Sequence, residues 1–231
     1  GQHLHRSTLA RRSLPRDAGY MAAISVRNLT KSYGAHRAVD GLDLDVQAGE
    51  VFALLGPNGA GKTTAVEILE GFRHRDGGEV AVLGSDPGAP RPGWRDRVGI
   101  VLQTSTGLDL LTPREALRST ALAYRTARRV DDVLEAVGLA EKANARVAGL
   151  SGGQRRRLDV ALGIIGRPDL LFLDEPTTGF DPQARRDFWQ LIKGLAQDGT
   201  TIMLTTHYLD EAEHLADRVG QGGHFAQGIG D

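Results

Sequence analysis

Gly56-Pro57-Asn58-Gly59-Ala60-Gly61-Lys62-Thr63-Thr64 is the stretch from which the rest of the chain can be read. It matches G-x-x-x-x-G-K-[ST], with Gly56, Gly61, Lys62 and Thr63 at the fixed positions. The apolar run Val51–Leu55 before it suits a buried parallel strand. After it, Ala65, Val66, Ile68 and Leu69 repeat at helical spacing. A strand, a glycine loop and a helix thus follow one another directly. Glycines let the backbone turn tightly and aim successive N–H groups at a phosphate chain. The helix N-terminus adds partial positive charge. Lys62 is placed to reach β- and γ-phosphates, and the Thr63 hydroxyl to ligate Mg²⁺.

The 231 residues give room for one domain with a subdomain insertion. Hydrophobic residues make up 40% and charged residues 25%, ordinary for a chain that buries a core. A formal net charge of −1 argues against a dedicated nucleic-acid binder. Without cysteine the chain has no disulfides and no thiolate metal sites. No apolar run approaches the ~18 residues of a membrane span, so a membrane role has to come through a partner chain.

Residues 1–20 carry Arg6, Arg11, Arg12 and Arg16 against one acid, Asp17, with no apolar periodicity. Arg11-Arg12 suggests a twin-arginine export signal, but none is expected because no apolar segment follows the pair. The segment reads as a disordered extension, with a membrane-surface or nucleic-acid tail as the alternative. From Ile24 the pattern becomes ordered. Strands are expected around 24–29, 42–46, 79–83, 98–102, 170–173 and 201–205. Helices are expected over 130–137, 182–196 and 208–219. Thr112-Pro113-Arg114-Glu115 is a helix start with an N-cap, a proline at N1 and a glutamate at N3. Ala116, Leu117, Ala121, Leu122 and Tyr124 are its expected apolar stripe. Residues 104–163 show no strand pattern and read as an inserted helical subdomain. Alternating strands and helices elsewhere predict a parallel sheet flanked by helices.

Leu170-Leu171-Phe172-Leu173-Asp174-Glu175 is an apolar strand that delivers two carboxylates at its C-terminal end, where ligands bind in open α/β sheets. Asp174 is suited to orient Mg²⁺ and its waters, and Glu175 to take a proton from an attacking water. Leu150-Ser151-Gly152-Gly153-Gln154 opens another helix and offers a second anion site at a helix N-terminus. One phosphate loop suffices for one nucleotide, so a second copy of the chain is expected to face the first. Arg155, Arg156 and Arg157 read as a solvated face.

GPNGAGKT, LSGGQ and LLFLDE, in this order and spacing, resemble the ATP-binding-cassette (ABC) ATPase family over about residues 22–219. The resemblance implies an α/β fold: a P-loop NTPase (RecA-like) parallel-sheet core, an N-terminal antiparallel β subdomain and the inserted helical subdomain, with the ATPase domain over 21–219. It also implies ATP and Mg²⁺ as cofactors. Tyr33 matches the aromatic that stacks on adenine. Gly56, Pro57, Asn58, Gly59, Ala60, Gly61, Lys62, Thr63 and Thr64 match the phosphate loop, and Ser151, Gly152, Gly153 and Gln154 the signature. Gln103 matches the glutamine that contacts Mg²⁺ and the nucleophilic water. Asp181, in Gly179-Phe180-Asp181, matches the D-loop aspartate, with Phe where Leu is commoner. His207 matches the switch histidine at the γ-phosphate. Thr63, Gln103 and Asp174 are then the metal set, and Glu175, His207, Lys62 and Gln103 the catalytic set.

LEGF at 69–72, EPTTGFDP at 175–182 and TTHYLDEAE at 205–213 resemble the drug- and antibiotic-exporter branch related to daunorubicin-resistance ATPases. That branch pairs with a separate ABC-2-type permease, which places the chain at the cytoplasmic face of the cell membrane. An ATP-dependent homodimer and no nucleic-acid partner are expected. Leu108, Leu110 and Leu111 are expected to be exposed and to meet the permease. Residues 220–231, with five glycines in twelve residues, do not read as the further strands of the family and suggest a truncated or frameshifted end. The alternatives are a cassette that binds nucleotide without turnover and a non-transport ABC ATPase of DNA repair or translation. A GTPase or small-molecule kinase leaves LSGGQ unexplained.

Overall fold

The structure, a computed structural model, describes residues 22–57, 59–101 and 107–221. Two long strands, β1 (Ala22–Tyr33) and β2 (His36–Gln47), pair antiparallel, and β3 (Val51–Leu55) leads into the glycine loop and α1 (Lys62–Leu69). Next come β4 (Gly77–Val82) and β5 (Val98–Val101). A helical stretch then holds α2 (Pro113–Ala121), α3 (Val130–Ala136) and α4 (Gly152–Ile164). The chain closes with β6 (Leu170–Asp174), α5 (Pro182–Gln197), β7 (Thr201–Thr206), α6 (Leu209–Leu215) and β8 (Arg218–Gln221).

The strands sort into two sheets: β2-β1-β4, antiparallel, and β5-β6-β7-β3-β8, parallel. Alternation along the parallel strands gives each of the sheet's faces its own apolar core. Val51, Ala53, Leu171, Leu173, Ile202 and Leu204 join the core built with α2 to α6. Phe52, Leu54, Leu170, Phe172 and Met203 join the core built with α1 and the antiparallel sheet. Both faces are therefore covered, which is why these strands read as continuous apolar runs. Burying a side chain such as Phe172 contributes roughly 1.5–3 kcal/mol.

Helix α4 lies directly on β5. A Cβ on Gly99 would stand 2.4 Å from the Gly163 carbonyl oxygen, and one on Gly163 would stand 2.9 Å from Val101 Cγ2. A residue without a side chain at both positions is what seats this helix so close to the sheet.

The expected capping box of α2 is present. Thr112 Oγ1 accepts from Glu115 N, Glu115 Oε2 accepts from Thr112 N, and Pro113 sits in the first turn. Such a cap contributes about 1 kcal/mol. Leu122 does not join the apolar stripe. The helix ends at Ala121, and Leu122 is 88% exposed.

The expected helix over 208–219 is corrected to the single short helix α6 followed by β8. At Ala216 the backbone becomes extended, Asp217 N donates to Val51 O, and residues 218–221 pair with 52–55. The open edge of β3 is thereby satisfied, which a continued helix would leave bare. Gly220 belongs to this strand rather than to a glycine-rich tail. A Cβ there would stand 2.6 Å from Phe52 Cζ, so the glycine marks a close approach and not a break. The remaining residues of that tail, 222–231, and the N-terminal residues 1–21 lie outside the described residues.

Candidate functional site

Parallel pairing brings the C-terminal ends of β3, β6 and β7 side by side, with Leu55 opposite Thr206 and Asp174 opposite Thr205. The glycine loop, Asp174-Glu175 and His207 follow these ends and so meet at one edge of the sheet. Gly59 and Gly61 both adopt φ +80, the left-handed conformation that lets the loop curl into α1. Gly56 N donates to Thr206 O, tying the loop to β7. Asn58, the third residue of the nonapeptide, lies outside the described residues.

Lys62 is only 4% exposed, and its Nζ donates to Gly56 O at 2.5 Å and Pro57 O at 2.8 Å. Burial holds its pKa below the usual lysine value, opposed by the carboxylates of Glu175 and Asp174. The exposed Thr63 and half-buried Thr64 line a cavity of about 460 Å³ with Gly59, Ala60, Gly61 and Lys62. Tyr33, His36, Ala38 and Glu175 complete its lining. Tyr33 is 42% exposed, with the Arg73 guanidinium 5.4 Å from its ring centre. A cavity of this size, with backbone N–H groups, one lysine, hydroxyls and a flat aromatic at its mouth, fits a nucleotide.

Asp174 Oδ1 accepts from Thr205 Oγ1, which fixes the carboxylate against β7. Glu175 has φ +41, a sparsely populated conformation for a residue with a side chain. Its N–H donates to Thr205 O at 3.2 Å and Thr205 Oγ1 at 3.0 Å. His207 Nδ1 stands 3.3 Å from Glu175 Oε1 without hydrogen-bond alignment, and it is a buried nitrogen with no protein hydrogen-bond partner. The His207 ring packs on Tyr208 at a 40° tilt with ring centres 3.9 Å apart, and the Arg185 guanidinium lies 4.8 Å from the Tyr208 ring centre. Hydroxyl Thr63 and carboxylate Asp174 are the oxygen donors that suit Mg²⁺. Gln103, the other expected metal contact, lies outside the described residues.

The signature residues open α4. Ser151 Oγ accepts from Gln154 N at 3.2 Å, and Gln154 Oε1 accepts from Ser151 N at 3.0 Å, a second capping box. Ser151, Gly152 and Gly153 line a second cavity of about 540 Å³ with Glu175, Thr178, Phe180 and Asp181. Asp181 caps α5, its Oδ1 accepting from Gln183 N and Ala184 N, each at 2.9 Å. These backbone bonds hold its pKa below the usual carboxylate value. Phe180 packs edge-on against Phe188 at 5.7 Å, so the phenyl ring anchors this loop to α5.

Two expectations about surface residues need correction. The three arginines after the signature are not a solvated face. Arg156 is 6% exposed, and its Nε and one terminal nitrogen donate to Pro176 O at 3.1 Å and Asp174 O at 2.9 Å. Arg155 pairs with Asp109 at 2.8 Å, and Arg157 donates to Val137 O. Its place four residues before Val160 puts Arg156 on the buried stripe of α4, a signal the run of like charges hid. Nor are Leu108, Leu110 and Leu111 all exposed. Leu108 packs against the helical core, Leu111 is half-buried with its backbone bonded to Leu108 and Val147, and only Leu110 stands out, at 80% exposure.

Two further acids escaped the sequence. Glu211, 1% exposed, accepts from Thr177 Oγ1 at 2.8 Å and from Trp189 Nε1 at 3.3 Å, joining α6, α5 and the loop after Glu175. It lies four residues before Leu215 on the buried face of α6, a position the alternating acids of that segment obscured. Glu70 is buried at the end of α1. Its pKa is pushed up to about 8 by burial, with the Asp174 and Glu67 carboxylates adding to the rise.

The family model described as ABC transporter matches residues 39–178. The daunorubicin/doxorubicin resistance ATP-binding protein DrrA of Streptomyces peucetius is 44% identical over 202 residues, 85% of this chain and 61% of that protein. The Nod factor export ATP-binding protein I of Burkholderia orbicola is 42% identical over 216 residues, 90% of this chain and 71% of that protein. The chain thus spans 61% of the length of the first of these relatives. Among solved structures, CbiO1 of Clostridium perfringens, part of the ABC transporter complex CbiONQ, superposes with a TM-score of 0.79 at 26% identity, over 89% of this chain and 87% of that one. MJ1267 in its ADP conformation shares the fold, with a TM-score of 0.77 at 24% identity over 89% and 90% of the two chains. With the phosphate loop, the signature helix start and the paired carboxylates all in place, the chain belongs to the ABC transporter family as an ATP-binding cassette.

Proposed function

We propose that this chain hydrolyses ATP to power an exporter, beside a separate permease of the ABC-2 type at the cytoplasmic face of the cell membrane. The names of the resistance and Nod-factor-export relatives support a drug, antibiotic or lipid-like cargo. Among the described residues no helix is long and apolar enough to cross a membrane, which supports a separate membrane partner.

The observation that carries the proposal is that Glu175 and Lys62 line the same phosphate cavity, with His207 Nδ1 3.3 Å from the Glu175 carboxylate. A water attacks the γ-phosphorus, the bond to the β–γ bridging oxygen breaks, and Glu175 takes the proton that the water loses. Lys62 exchanges the carbonyls of Gly56 and Pro57 for phosphate oxygens, and His207 meets the charge that develops on the γ-phosphoryl group. Mg²⁺, when held by Thr63 and Asp174, neutralises charge on the phosphate oxygens. Gln103 is assigned to the metal, the attacking water and a hinge that moves the helical stretch against the permease. Tyr33 stacks on the base.

Neither cavity is lined by both Lys62 and Ser151. This supports a homodimer in which each nucleotide lies between the phosphate loop of one chain and Ser151, Gly152, Gly153, Gln154 and Asp181 of its partner. The test is Glu175→Gln. It should keep ATP binding and slow hydrolysis by roughly 10²–10⁴-fold. Unchanged turnover removes Glu175 from the chemistry. A wild-type chain that binds ATP and never hydrolyses it is the alternative of a cassette without turnover.

A further inference from the structure

We infer that Arg156 is a positioning residue for Glu175: from the second turn of the signature helix its guanidinium fixes the peptide carbonyls on both sides of that glutamate. The inference rests on the role given to Glu175 above. Residues 174–176 leave the sheet through a backbone that Glu175 holds at φ +41. An extended or helical φ is easier for glutamate, so something has to hold this turn. The N–H of Glu175 is held by Thr205 of β7. The carbonyls of Asp174 and Pro176 are held by Arg156 of α4. Two peptide groups beside the carboxylate, 174–175 held at both its carbonyl and its N–H and 176–177 held at its carbonyl, are thereby fixed from two elements, and the Arg156 bonds, having a charged donor, are the stronger kind.

The residue type matters. A guanidinium is a planar fork with donors at fixed angles and can bridge two carbonyls two residues apart, whereas a lysine ammonium is a point donor on a flexible stem. Arg156 also faces Asp159 at 3.9 Å, with Glu211 and Asp174 among the carboxylates that act on it. Its charge is therefore met on the inner side while the fork points at the turn. The same helix presents Ser151 five residues earlier, and Ser151, Arg156 and Glu175 line one cavity. The signature helix and the general base are thus joined as one body.

The experiment is a double-mutant cycle on the full chain, with kcat and KM for ATP measured for wild type, Arg156→Lys, Glu175→Gln and the pair. Arg156→Lys keeps a positive charge beside Asp159 while it loses the fork. It should lower kcat about tenfold with KM within twofold, because the base is misplaced while the phosphate-loop cavity, which Arg156 does not line, is unchanged. In the Glu175→Gln background the same change should alter the residual rate less than twofold, since no base remains to be positioned. If Arg156→Lys does not fold, Arg156→Gln takes its place with the same expectations. A kcat within twofold of wild type overturns the inference, as does an equal loss in both backgrounds, which is what mere loss of stability produces. Wild-type turnover in Glu175→Gln overturns the role of Glu175 and this inference with it; normal loss there with an inert Arg156 variant overturns this inference alone.

Discussion

His207 Nδ1 lies 3.3 Å from Glu175 Oε1, so residues that follow two different parallel strands, β7 and β6, meet where Glu175 lines the phosphate cavity. Neither contributes to the main apolar cores, and the contact is not an aligned hydrogen bond. A pair held close but left without a mutual bond is suited to turn towards a third group, which in the proposed mechanism is the γ-phosphate. His207→Ala should therefore lower kcat by roughly 10²-fold while the nucleotide Kd changes little. Parallel measurement of ATPase rate and of fluorescent-nucleotide binding checks this, and equal losses in both assign His207 to binding alone.

Burial of Glu70 has a consequence for stability against pH. Its folded pKa, about 8, lies above the 4.5 of a free glutamate, so the folded chain holds the proton over a range where the unfolded chain releases it. Stability from this group is full below about 4.5, falls as the pH rises through that window, and is lost above about 8. The size is on the order of 2–5 kcal/mol. Glu70→Gln cannot ionise and should flatten the decline. Denaturant midpoints at pH 5 and pH 8.5 check it, and an equal pH-dependent loss in wild type and variant contradicts it.

Leu110, 80% exposed, is the one fully exposed side chain of the expected apolar trio, Leu108 and Leu111 being half-buried. Leu110→Ser should abolish transport in cells or vesicles holding the permease and leave basal ATPase intact. Leu111→Ser should instead lower the thermal midpoint, because Leu111 is half-buried and its segment is bonded to residue 147. Intact transport with Leu110→Ser removes this residue from the docking surface.

Features with a fixed local spacing were legible in the sequence. The phosphate loop between β3 and α1, the run 170–175 and the Thr112–Glu115 cap each depend on residues a few positions apart, and the structure places them as expected. Features set by distant packing were not legible. Which charge in Arg155-Arg156-Arg157 turns inward depends on carbonyls about twenty residues away. β8 was missed because Gly220 is a strand breaker in isolation, and only the Phe52 ring beside it explains the glycine. β4 follows α1 in the chain but pairs with β1, a partner no local pattern names.

The central claim is that two chains share each ATP site. It is tested most directly by mixing Lys62→Ala chains with Ser151→Arg chains, each of which should be nearly inactive alone. A mixed dimer has one doubly damaged site and one in which an intact phosphate loop faces an intact signature. The measurement is ATP hydrolysis by mixed dimers isolated through two tags. The account predicts recovery, up to about half the wild-type rate per dimer where the two sites act independently. Mixed dimers that stay at the level of the single variants, together with a wild-type rate per chain that holds constant on dilution, would contradict it.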